Sequence, residues 1–219
     1  MKTYPSIDGI SCNYLNKLIG QECVCFMKCD GSNLRFEWSK KTGWSKFGTR
    51  NRLFDLSDKE YGQSINIFQN NFGTKFTELL KQQFPKLEKA TVFCEFYGEN
   101  SFAGHHNFND QMKLCLFDVD IFKKGFVDPY RFIELFSSFS IPKVYYQGNL
   151  TTNLIQDIKN GIFGENEGVV IKGVNGKNSN HNNIWMIKVK TNFWLEKIKN
   201  KIGFAQIYLE NLKEQSCKE

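Results

Sequence analysis

Cys23-Val24-Cys25-Phe26-Met27 leads straight into Lys28-Cys29-Asp30-Gly31-Ser32-Asn33. The apolar run has the composition of a strand. It delivers a lysine into a loop where a glycine permits close approach to whatever the lysine meets, with a carboxylate two residues on. Lys28 is therefore a candidate covalent nucleophile. The same tetrapeptide also reads as a plain surface turn, because Asp-Gly supplies turn chemistry at any strand end. Leu34, Phe36 and Trp38 alternate with Arg35 and Glu37 beyond it, which predicts a second strand from Asn33 to Trp38. On this reading the Asp30-Gly31 turn joins the two runs as an antiparallel pair.

At 219 residues, 41% hydrophobic and 15% aromatic, the chain can bury one sizeable core. Disorder of the whole chain is excluded. The formal net charge of +6 suits a polyanionic partner such as a nucleotide or nucleic acid, without requiring one. The seven cysteines lack paired C-x-x-C spacing and read as reduced core thiols of a cytoplasmic protein. No apolar stretch approaches the roughly 18–20 residues needed to span a bilayer. High Lys, Asn and Phe usage is that of an AT-rich genome, viral or otherwise.

Residues 1 to 20 read as peripheral, with a short helix around Tyr14 to Ile19. Lys40 to Arg52 is basic and glycine-containing, and Phe47-Gly48-Thr49-Arg50-Asn51 places an arginine in a loop; a solvated hairpin tip has the same composition. Ile65, Phe68, Phe72, Phe76, Leu79 and Leu80 are spaced as one face of a helix ending before Pro85. Thr91 to Tyr97 is a strand in which Glu95 lies opposite Cys94 and Phe96, a costly place for a carboxylate unless something there uses it. His105 and His106 lack further ligands at metal-site spacing, which leaves a mobile or RNA-facing loop. Met112 to Phe122 is a strand with Phe117, Val119 and Ile121 on one face, Phe117 serving as core or as a stacking platform for a base. Asp128-Pro129 opens a helix, Lys143 to Tyr146 is a short strand, and Thr152 caps a helix from Asn153 to Asn160.

In the last third, Glu167-Gly168-Val169-Val170-Ile171-Lys172-Gly173 is a β-branched strand begun by a carboxylate and ended by a lysine. Ile184 to Lys190 is a second, on which Lys188 and Lys190 point to one face. Two ammonium groups there face either water or a phosphate. A C-terminal amphipathic helix follows, with Phe193, Trp194, Ile198, Ile202 and Ile207 on its buried side. With no repeat and no clear linker, residues 1–219 read as a single domain, 192–219 being a helical extension.

The order Lys28-Cys-Asp-Gly, Gly48-Thr49-Arg50-Asn51, Phe93-Cys94-Glu95-Phe96, Leu116-Phe117-Asp118, Glu167-Gly-Val-Val-Ile-Lys172 and Lys188-Val-Lys190 resembles the covalent nucleotidyltransferase superfamily of ATP-dependent DNA ligases, RNA ligases and mRNA capping guanylyltransferases. Asn33, where DNA ligases and capping enzymes usually carry arginine, makes the chain most similar to RNA ligases of the phage and RNA-editing type. The resemblance implies an α+β, ATP-grasp-like ligase fold of two antiparallel sheets with flanking helices. Only 29 residues follow Lys190, too few for an OB-fold domain.

A lysine with a solution pKa near 10.4 is about one part in a thousand neutral near pH 7.4, so it must be activated. Lys188, Lys190 and a divalent cation, Mg²⁺ or Mn²⁺, would favour neutral Lys28 and offset phosphate charge. The resemblance implies that Lys28 becomes lysyl-AMP from ATP, Glu95 binds ribose, Phe117 stacks on adenine, and Arg50 contacts the sugar or the RNA 3′ end. Asn33 belongs to the same nucleotide site, Glu167 helps hold the metal directly or through water, and Lys172 assists at phosphate. AMP would then pass to an RNA 5′-phosphate, which a 3′-hydroxyl attacks. The expected partner is RNA bearing those ends, with a monomeric protein and a separate accessory domain or protein for gripping RNA; the Lys40–Arg52 and His105-His106 loops are candidates within the chain. A DNA ligase or guanylyltransferase domain would share the lysine chemistry, and a non-catalytic nucleic-acid-binding module would need only the basic surface.

Overall fold

The computed structural model describes residues 1–7, 12–164, 167–174 and 184–202. In chain order the elements are α1 (Cys12–Leu18), β1 (Glu22–Met27), β2 (Ser32–Ser39), β3 (Gly43–Thr49), β4 (Leu53–Phe54), α2 (Gln63–Asn71), α3 (Gly73–Gln83) and β5 (Lys89–Tyr97). There follow β6 (Lys113–Ile121), β7 (Gly125–Phe126), α4 (Pro129–Phe136), β8 (Val144–Asn149), α5 (Thr152–Lys159), β9 (Gly168–Gly173), β10 (Met186–Lys190) and α6 (Asn192–Ile202). The class is α+β with two antiparallel sheets, as the resemblance implies. The chain divides into two compact units, one from Met1–Pro5 and Asp30–Pro142, the other from the described parts of Ser6–Cys29, Lys143–Lys177 and Ile184–Glu219.

The first unit holds a six-stranded sheet in the order β4-β3-β2-β5-β6-β7. Alternation on β2 buries Leu34, Phe36 and Trp38, and Phe36 stacks on Phe68 of α2 with centroids 4.1 Å apart. The single helix expected from Ile65 is two, because the chain bends between Phe72 and Gly73, whose φ is +34°. Ile65, Phe68, Phe72, Phe76 and Leu80 all stay buried across the bend, while Leu79 is half-buried. Asp128 caps α4 by accepting the Tyr130 N–H, and α4 packs Phe136 on Phe76 at 5.0 Å. The Lys40–Arg52 stretch is mostly strand: β3 pairs with β2, and only its ends are turns.

The other face of this sheet carries Asn33, Arg35 and Glu37 opposite Glu95, Phe93 and Thr91. It is covered by the first residues of the chain. Arg35 donates to the Lys2 carbonyl at 3.0 Å and to Thr3 Oγ1 at 2.7 Å, and the Met1 ammonium lies 3.4 Å from Glu37. The expectation that residues 1 to 20 are peripheral therefore fails at Tyr4, which is only 4% exposed. Polar Arg35 and Glu37 hid this contact, since in a strand they read as the solvated side.

The second unit is a four-stranded sheet in the order β10-β9-β1-β8. Cys23, Cys25, Val169, Ile171, Ile187 and Val189 pack in one cluster with Leu154, Ile155 and Ile158 of α5. Thr151 rather than Thr152 caps α5, accepting the Leu154 N–H at 3.0 Å. β1 and β2 do not pair: they belong to different sheets, so Cys29-Asp30-Gly31 is a link between sheets and not a hairpin turn. Trp194 and Ile198 of α6 are buried, but Phe193 is 42% exposed; Ile207 and the Ile202 side chain lie outside the described residues. Cys23, Cys25, Cys29, Cys94 and Cys115 are thiols, none of them in a disulfide. Among the described residues no helix is long and apolar enough to cross a membrane.

Candidate active site

In the four-stranded sheet, the face away from α5 is set by register. Val24 opposes Lys172, Phe26 opposes Val170, Met186 opposes Lys172, Lys188 opposes Val170 and Lys190 opposes Gly168. Since alternate residues share a face, Lys172, Lys188 and Lys190 stand together. Glu167 is buried at the start of β9, with 5% of its side chain exposed. Its Oε2 accepts from Lys28 Nζ at 2.6 Å, and its Oε1 lies 3.9 Å from Lys190 Nζ. A carboxylate so buried is tolerable because two cations answer it.

Backbone pairing holds this arrangement. Lys28 N–H donates to the Gly168 carbonyl at 2.9 Å, and Thr191 N–H donates to the Glu167 carbonyl at 3.1 Å. Glu167-Gly168 thus ties the end of β1 to the end of β10. Only glycine fits at 168, because a Cβ there would lie 2.0 Å from the Val189 carbonyl oxygen. Lys190 Nζ sits 4.0 Å above the Trp194 ring, and Lys172, 3% exposed, has its ammonium 5.0 Å from the Phe26 ring.

In the six-stranded sheet Asn33, Glu95 and Phe117 share the face that carries Tyr4. Asn33 pairs with Glu95 across β2 and β5, and the Asn33 Oδ1 is buried without a hydrogen bond. Phe117 is the extra residue of a bulge, since Phe93 opposes Asp118 and Cys94 opposes Leu116. The bulge moves Phe117 off the Val119 and Ile121 side, where simple alternation places it, and onto the Tyr4 ring at 5.0 Å, edge to face. The Tyr4 hydroxyl donates to buried Asp118. Burial, then Asp118, pushes the Tyr4 phenol well above its ordinary value; Glu95 adds to this and Arg50 opposes it. Arg50 itself is exposed, just beyond β3.

The sequence profile of the RNA ligase family matches residues 21–190, most of the chain. This chain belongs to the RNA ligase family. No curated protein sequence matches it. Solved structures of Naegleria gruberi RNA ligase share the family fold. One with PPi has a TM-score of 0.67 at 18% identity, covering 92% of this chain and 59% of that one. A mutant with ATP and Mn has a TM-score of 0.66 at 19% identity, covering 91% and 59%. An apo mutant has a TM-score of 0.62 at 19% identity, covering 90% and 60%. At such identity the likeness establishes the fold, and the chain spans about 60% of the length of those solved chains.

Within this RNA ligase family member, Lys28, Glu167, Lys172, Lys188 and Lys190 gather on one sheet, and Asn33, Glu95 and Phe117 on one face of the other. Sequence reasoning missed Tyr4, Asp118 and the fastening of the Cys29-Asp30-Gly31 link. Asp30 accepts the Ala103 N–H at 3.0 Å, and Ser32 Oγ lies 2.8 Å from His106 Nε2. His106 is also held by Ser101 Oγ at 2.8 Å and is half-buried, while His105 is exposed. Among the described residues no cluster of three or more His, Cys, Asp or Glu could hold a metal.

Proposed function

We propose that residues 1–219 act as one nucleotidyltransferase domain of an ATP-dependent RNA ligase that seals RNA through lysyl-AMP. The observation that carries this reading is the Lys28–Glu167–Lys190 group: a half-buried lysine at a strand end, 2.6 Å from a buried carboxylate that a second lysine also approaches. Family membership supports the reaction class.

In the first step the neutral Lys28 amine attacks the α-phosphorus of ATP. A P–N bond forms, the bond from that phosphorus to the bridging oxygen breaks, and pyrophosphate leaves. The proton lost from Nζ has an acceptor at hydrogen-bonding distance in Glu167 Oε2. Lys188 and Lys190 supply positive charge that disfavours an ammonium at Lys28 and offsets charge on the phosphates. Phe117 stacks on adenine, Glu95 binds the ribose hydroxyls, Asn33 completes the nucleotide site, Arg50 contacts the sugar or the RNA 3′ end, and Lys172 assists at phosphate. In the second step an RNA 5′-phosphate oxygen attacks the adenylyl phosphorus and Lys28 leaves as the amine. In the third, an RNA 3′-hydroxyl displaces AMP to form the phosphodiester.

A divalent cation fits the donor set present, because Mg²⁺ or Mn²⁺ at such sites is held by one or two carboxylates plus substrate phosphates, and Glu167 is such a carboxylate. When bound, it would supply Lewis-acid charge to the triphosphate. The test is a chase: protein labelled from α-labelled ATP is mixed with 5′-phosphorylated RNA and a 3′-hydroxyl acceptor. Transfer of label to RNA followed by sealing is expected. Transfer only to DNA ends, or labelling only from GTP, would overturn the RNA ligase assignment.

A further inference from the structure

The turn joining β6 to β7 displays an aromatic ring among lysines. Lys124 N–H donates to the Ile121 carbonyl at 2.8 Å, and Lys123 closes the turn at φ +65°, a left-handed conformation uncommon outside glycine. The turn pushes Phe122 outward, where it is 46% exposed. Lys89 and Lys123 place their ammonium groups 5.6 and 5.2 Å from its ring centre. Lys124 lies 5.6 Å from the Phe84 ring, and Lys86 is exposed beside it. The ring separates two hollows of about 420 and 140 Å³.

Charge decides the sign of the partner. Lys86, Lys89, Lys123 and Lys124 face one exposed carboxylate, Glu88, which is 4.0 Å from Lys123. The carboxylates of the larger hollow are already answered: Asp120 by Lys2, and Glu37 by the Met1 ammonium, Lys46 and Lys89. A polyanion meets no uncompensated negative charge here. A projecting aromatic ring selects an unstacked base over a duplex. β6 also carries Phe117, five residues back from Phe122, roughly 17 Å at ~3.4 Å per residue.

We propose that this surface grips single-stranded RNA, its lysines on phosphates and a base stacked on Phe122, resting on the RNA ligase reading above. The lysines that lie over the ring turn to the phosphates as a base takes their place.

The test is anisotropy of a 3′-fluorescein oligouridylate titrated with the full chain across a salt series, beside self-labelling from α-labelled ATP. Lys86→Ala/Lys123→Ala/Lys124→Ala should weaken binding at least tenfold and flatten the log–log salt slope by about 2, at ~0.7 for each phosphate no longer neutralised. Phe122→Ala should weaken it about tenfold, within the range of one base–aromatic stack, and Phe122→Trp should restore it. Self-labelling should be unchanged in all three. RNA affinity within twofold of the parent in both the triple variant and Phe122→Ala overturns the proposal, as does a parent that labels itself yet does not bind the oligouridylate. A chain that binds RNA through these residues but never labels itself would instead sink the lysyl-AMP reading and leave this surface standing.

Discussion

Glu167 is the residue on which two cations converge, and its replacement separates charge from shape. Glu167→Gln keeps the volume but removes the counter-charge of Lys28 and Lys190, so adenylylation should fall at least about 100-fold, the lower range for loss of a positioned acid–base group. Rates within threefold of the parent would show that the carboxylate has no part in the first step. Tyr4 bears on the other sheet. Tyr4→Phe strips buried Asp118 of one donor, which should cost about 1–3 kcal/mol in urea unfolding, and Tyr4→Ala should also raise the ATP concentration for half-maximal labelling by freeing Phe117. An unchanged ATP dependence would mean that Phe117 needs no brace. Lys28 and Glu167 stood out in the sequence as charges at the ends of apolar strands, Glu95 as a carboxylate within one, and Lys190 as the second of two lysines on one strand face. Tyr4 did not, since an aromatic among the first residues carries no periodicity to reveal what it covers.

At the scale of elements, the pairing of β9 hangs on Gly168. Gly168→Ala drives a methyl into the Val189 carbonyl and loosens the anchors of Lys28 and Lys190 together; it should destabilise the chain by about 3 kcal/mol, measured by urea midpoint, and lower labelling with it. Near-native stability would contradict the close packing of β9 on β10. The loop between β4 and α2 should respond to acid. Asp58 accepts from Arg52 and from the Tyr61 and Glu60 N–H groups, which lower its pKa to about 2. Its folded value lies below the unfolded one, so ionised Asp58 stabilises the fold above about pH 4 and that contribution is lost as pH falls towards 2. Asp58→Asn should flatten this part of the pH–stability curve; an unchanged curve would dismiss the contribution. Strand positions were readable because period two survives from sequence to fold. The bulge at Phe117 and the bend at Gly73 were not, since the apolar stripe runs through both without a break. Asp-Gly serves a hairpin and a link between sheets equally well, which is why the separation of β1 from β2 was missed.

For the whole molecule, family membership and fold agree with the order of motifs along the chain, which no single motif could establish. A chelator should abolish labelling, and Mg²⁺ or Mn²⁺ should restore it, because Glu167 is one carboxylate and the described residues offer no metal cluster to retain an ion without the nucleotide. Labelling that persists in chelator would require another source of positive charge at the triphosphate. The most direct measurement is intact-protein and peptide mass spectrometry after incubation with ATP and Mg²⁺, on protein first stripped of bound AMP with pyrophosphate. One adenylyl group on the peptide containing Lys28, absent from Lys28→Ala, is the predicted result; an adenylyl group on another residue, or none, would contradict a Lys28 nucleophile.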